Sequence, residues 1–140
     1  MNRMSSPWRW PTAALLLLVA AAHIPLIREH LVEAPYIGVL FILLTAACIL
    51  LAAAVIAVDT AVVWEIIRAV SLLALAAFLI SRTVGLPQIG DDVGNWTEPL
   101  EYPALAAETL SAVVATVVLR GSRRSSRESS RRSVDARDAR

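Results

Sequence analysis

The chain predicts an all-α fold: a polytopic membrane protein built as an antiparallel bundle of four transmembrane helices. Hydrophobic residues make up 57% of its 140 positions and charged residues 18%, and the charges gather outside four apolar runs at 12–27, 35–58, 61–80 and 102–119. Each run is close to the roughly 17 to 25 residues a helix needs to cross a hydrocarbon core about 30 Å thick. The arginines, finally, fall overwhelmingly on one side of the membrane so implied.

Residues 1–11 read as a short N-terminal segment, and Pro11 suits the first turn of helix one, where a missing amide proton leaves no bond unmade. Helix two, 35–58, carries no charge and opens on Pro35. Between it and helix three, Asp59 and Thr60 read as turn or N-cap residues. Helix three, 61–80, has Arg68 within it and Arg82 just after it, separated by only about 20 Å of helix, so both side chains are expected to reach outward to the two interfaces. Glu65, three residues before Arg68, is placed to pair with it on the same face. Helix four, 102–119, has Pro103 in its first turn and small residues at intervals of four, Ala107, Ser111 and Ala115; with Ala53 and Ala57 of helix two these suit close packing in the bundle or a homo-oligomer interface. Residues 120–140, rich in arginine and serine and poor in apolar residues, are expected to be disordered. Trp8, Trp10 and Trp64 mark one membrane boundary; Tyr36, Trp96 and Tyr102 mark the other.

An even number of spans places both termini on one side. That side holds Arg3, Arg9, Arg68 and the eight arginines from Arg120 onward, against Arg28 and Arg82 opposite, so both termini are expected to be cytoplasmic. The outer loops are acidic, with Glu29 and Glu33 in the first and Asp91, Asp92, Glu98 and Glu101 in the second. The tail arginines are expected to attract anionic lipid headgroups; nucleic acid is a poorer partner, because topology already accounts for the charge. A rival reading makes the first run a secretory signal peptide cut after Ala20-Ala21-Ala22, exposing His23 as an amino-terminal copper ligand.

Candidate chemistry lies on the outer side. His23, His30 and Glu33 form an H-x6-H-x2-E pattern that shares one face if helix one continues past Pro25, and with Asp91, Asp92 or Glu98 they form a candidate site for zinc, copper or iron. The spacing matches neither H-E-x-x-H nor a repeated E-x-x-H. Glu108, five positions inside Pro103, is an intramembrane carboxylate, with Glu101 two turns earlier on the same face. Such groups are usually paired, protonated or functional, and Arg28, Arg82 or a metal are the candidate partners.

Several enzyme classes lack their signatures. Cys48 is the sole cysteine and falls within helix two, which excludes an internal disulfide and a Cys-x-x-Cys centre. There is no glycine-rich phosphate loop, no nucleophile elbow, and no pair of helix-interrupting glycines and prolines of the kind that marks transporter sites.

Three segments, His30-Leu31-x-Glu33-Ala34-Pro35-Tyr36-Ile37-Gly38, Arg82-Thr83-Val84-Gly85-Leu86-Pro87 and Gly94-Asn95-Trp96-x-Glu98-Pro99-Leu100, resemble parts of small uncharacterised four-helix integral membrane proteins of actinobacteria. The resemblance spans 12–119 and implies a bacterial plasma membrane, with no activity, cofactor or catalytic residue attached. Three functions stay open. The first is a non-enzymatic accessory subunit whose outer loops bind a protein partner. The second is a metal-binding or metal-handling protein, and the third a proton-coupled small-solute carrier centred on Glu108.

Overall fold

The computed structural model describes residues 4–96 and 99–138, with side chains as far as Ser125. Four long helices follow in order, α1 (Arg9–Glu33), α2 (Pro35–Ala57), α3 (Ala61–Thr83) and α4 (Glu101–Asp138), with one short 3-10 turn at Gly90–Asp92 between the last two. All four are long and apolar enough to cross a membrane, and the protein is a multi-pass membrane protein.

Helix ends follow local chemistry. α1 runs through Pro25 to Glu33, six residues beyond the predicted end at 27. A proline removes one helical bond, and neighbouring helices and local adjustment make this tolerable in a membrane span. The break between α1 and α2 is a single residue, Ala34, held out of helical geometry at φ −140° and ψ 84° by the proline that follows it. The hairpin is tight: a Cβ added at Gly38 would lie 2.6 Å from the Leu31 side chain and 2.7 Å from its backbone nitrogen. α4 continues as helix to Asp138, through the segment whose composition predicts disorder. No proline follows Pro103 and only Gly121 interrupts, so a helix already nucleated in the bundle extends through good formers such as arginine and alanine.

α1 packs against both α2 and α4, and α3 packs against α4, whereas α2 and α3 meet only sparsely. The bundle is therefore closed on three sides and thin on the fourth. At the end that carries both termini the interior is filled by Leu16, Val19, Val55, Trp64, Ile67 and Leu119, and beside it an open cavity of about 730 Å³ lies among Met4, Trp8, Thr60, Val118 and Ser122. Ala107, Ser111 and Ala115 are buried, as their spacing predicts. Ala53 and Ala57 are exposed instead, and α2 turns Cys48, Leu51, Ala52 and Val55 inward. Residues 13–20 supply Ala13, Leu16, Val19 and Ala20 to this shared core, so cleavage as a signal peptide would remove part of it.

The same end corrects the reading of Trp64 as a boundary residue. It is the largest fully buried side chain, and its indole Nε1–H donates to Asp59 Oδ1 at 2.8 Å. Asp59 is likewise fully buried, in left-handed geometry at φ 46°, and its other oxygen accepts the Ser6 amide at 2.6 Å. The Met4 amide donates to the Asp59 carbonyl at 2.8 Å. A turn residue thus ties the N-terminal segment to the α2–α3 connection. On the surface nearby, Glu65 pairs with Arg68 as its spacing predicts, and also accepts from Arg123 at 2.8 Å.

Candidate functional site

At the opposite end, the segment between α3 and α4 folds over the mouth of the bundle. Ile89 inserts against Ala34 and Ile37 at the α1–α2 corner, with Phe41 and Leu86 beside them, forming a second, separate apolar cluster. Tyr36 donates its hydroxyl to the Pro87 carbonyl at 2.6 Å, and Tyr102 donates to the Trp96 carbonyl. Gly85 and Gly94 sit at φ 86° and 79°, conformations that glycine takes without the steric penalty of a Cβ.

Arg82 clamps this cover in place. Its guanidinium bonds Asp92 Oδ1 at 2.7 Å and pairs with Glu101 at the first residue of α4, while its backbone carbonyl accepts the Gly94 amide at 3.0 Å. Only 3% of the residue is exposed, so it does not extend to the interface as the snorkelling argument expects. The acidic loop comes to it, and the pairing replaces the water that a buried guanidinium would otherwise need.

Beneath the cover, where α2 and α3 diverge, lies a cavity of about 490 Å³. That volume falls within the roughly 300 to 1,000 Å³ typical of small-molecule sites. Its walls are leucines, alanines, Phe41 and Phe78, and its polar lining is ordered by depth. His30, Arg82, Asp92 and Glu101 stand at the covered rim; Glu108 lies about 10 Å deeper along α4 than Glu101, and His23 lies two turns further into α1 than His30.

The two histidines share one face of α1 because the helix continues through Pro25. Each directs Nδ1 to the carbonyl four residues earlier, His23 to Val19 and His30 to Leu26, both at 2.9 Å. A carbonyl only accepts, so Nδ1 carries a proton, and in the neutral ring Nε2 is left as an acceptor. Phe41 lies beside both, its ring centre 5.0 Å from His23 and 4.9 Å from His30.

Glu108 is 5% exposed and lines the cavity, yet it makes no hydrogen bond or ion pair with any described residue. Arg82, one of its candidate partners, is instead engaged by Glu101 and Asp92.

The candidate metal set is not assembled as one cluster. His23, His30 and Asp92 line the cavity, whereas Glu33 and Asp91 are exposed outside it, and Glu98 lies outside the described residues. Among the described residues no group of three or more histidine, cysteine, aspartate or glutamate side chains is placed to hold a metal ion. Sequence reasoning found His23, His30, Glu101 and Glu108 but missed Phe41 and Phe78, which only the divergence of α2 and α3 makes into cavity walls. The chain matches no family model, no curated protein and no solved structure.

Proposed function

We propose that this protein is a non-enzymatic binding protein of the membrane, which takes a small, largely apolar molecule from the bilayer into the cavity between α2 and α3. The observation that carries this reading is the carboxyl of Glu108, a residue only 5% exposed, which lines a largely apolar space and makes no hydrogen bond or ion pair with a described residue. A lipid tail filling the same space would leave that group and the histidine acceptors unsatisfied, and buried polar groups without partners are costly. A ligand with an apolar body and one polar head answers both the walls and the lining.

The sparse contact between α2 and α3 gives such a molecule a lateral route from the lipid, and the folded loop lies over the mouth on the water side. The arginine bias supports placing the covered end outside and both termini in the cytoplasm, and the resemblance of the loops to actinobacterial proteins supports a bacterial plasma membrane.

Photolabelling tests the reading. A radiolabelled aryl-diazirine amphiphile, activated with the purified protein in lipid nanodiscs, is expected to label Phe41, Ala77 and Phe78 and to lose that labelling in Ala77→Trp, which fills the space. Even labelling over the lipid-facing leucines, unchanged by Ala77→Trp, would sink it.

A further inference from the structure

We infer that the molecule this cavity selects is a lipophilic cation, with Glu108 as its counter-ion. The inference rests on the cavity reading above and adds the chemical class of the ligand.

Charge balance is the first argument. Among the described residues three carboxyl groups line the cavity, Asp92, Glu101 and Glu108, against the one guanidinium of Arg82. Asp92 and Glu101 both bond Arg82, so the rim cluster carries more negative charge than positive when its acids are ionised, and it offers an anion no attraction. Glu108 stands apart from this cluster and makes no ion pair with a described residue. A carboxylate in a low-dielectric wall attracts a cation far more strongly than the same group does in water.

Hydrogen-bonding polarity is the second. The Nδ1 protons of His23 and His30 are taken by helix carbonyls, which leaves Nε2 an acceptor in the neutral ring. Glu108 adds two acceptor oxygens when ionised, while the guanidinium at the rim already serves Asp92 and Glu101. Acceptors dominate the lining, so the complementary head is a donor or a positive charge.

The aromatic walls are the third. Phe41 and Phe78 line the space, and the ring of Phe78 already lies 5.5 Å from the Arg82 guanidinium carbon, within the range of a cation–π contact. An aromatic or alkylated onium ion would use both its apolar bulk and its charge here.

Tetraphenylphosphonium and tetraphenylborate are nearly the same size and opposite in charge, which makes them the discriminating probes. Equilibrium binding to the full-length protein in zwitterionic nanodiscs is expected to favour the phosphonium. Glu108→Gln should weaken that binding about tenfold or more, the loss of one close charge contact in a partly dry site. Glu108→Asp, which keeps the charge, should retain the preference for the cation. Equal binding of both ions, unchanged in Glu108→Gln but abolished by Ala77→Trp, would overturn the cation assignment and leave the cavity reading standing. Binding of neither ion above the level seen with Ala77→Trp, together with diffuse photolabelling, would overturn both.

Discussion

Asp59 and Glu108 are both withdrawn from water, at 0% and 5% exposure, yet the chain surrounds them in opposite ways. Around Asp59 it brings donors from two elements, the Ser6 amide from the distant N-terminal segment and the Trp64 indole from the adjoining first turn of α3. Around Glu108 it places a largely apolar cavity, and no described residue bonds the carboxyl. A buried carboxyl satisfied by its own chain holds structure together; under the proposed function, one facing a cavity is placed for a ligand. If the proposed function holds, the two ends of one bundle divide stability from binding, and substitutions at the two ends should separate the same way.

The largest effect belongs to Asp59→Ala. It removes the acceptor of two buried donors at once, and hydrogen bonds to a charged group are worth about 1.5–3 kcal/mol each, so a loss of about 3 kcal/mol or more is expected. Thermal unfolding in detergent should show a clear drop in Tm, and the segment before Trp8 should become open to proteolysis. A variant with unchanged Tm would erase the contrast.

Gly38→Ala comes next. The added methyl would sit 2.6 Å from the Leu31 side chain, and the backbone nitrogen at 2.7 Å cannot rotate away, so the α1–α2 hairpin must spread. Overpacking of this kind costs about 1–3 kcal/mol. Because the hairpin carries Phe41 and both histidines, the same substitution should also disturb photolabelling of the cavity, which Asp59→Ala should affect only through global unfolding.

A smaller and more local effect is expected of Arg82→Gln. It removes the clamp between Asp92 and Glu101, but these carboxylates are partly exposed and water can replace the lost partner, so a local destabilisation of about 1–2 kcal/mol follows. Hydrogen exchange should quicken at Val84 to Gly94 while the core amides of α1 and α4 keep their protection. Uniform loosening of the whole bundle would mean that the loop is integral to the fold and not a cover on it.

How much of this contrast was legible in the sequence depends on how local each feature is. Four spans and the pairing of Glu65 with Arg68 follow from run length and spacing within one helix, so they could be read directly. Helix ends were less legible, because Pro25 and the polar residues after it look like a stop, whereas packing against α2 carries the helix on to Glu33. Trp64 is a boundary marker by composition and a core residue by its partner, and that partner depends on a bond between Asp59 and a residue 53 positions earlier. Glu108 was visible as an anomaly from its place inside an apolar run. What faces it was not, since the cavity arises where α2 and α3 fail to pack, a property of four helices together.

The smallest effect on stability, and the sharpest test of the comparison, is Glu108→Gln. No hydrogen bond or ion pair with a described residue depends on its carboxyl, and the amide has the same shape, so no described residue loses a partner by the change. The apolar surroundings favour the neutral amide over a charged group, and Tm should stay the same or rise slightly, within about 0.5 kcal/mol, as for substitutions away from any structural feature. Ligand binding should nevertheless fall. A residue whose removal costs binding and leaves stability intact is held in place for the ligand alone. Were Glu108→Gln to unfold the protein as Asp59→Ala does, the two carboxyls would be doing the same work, and the division between the two ends would be lost.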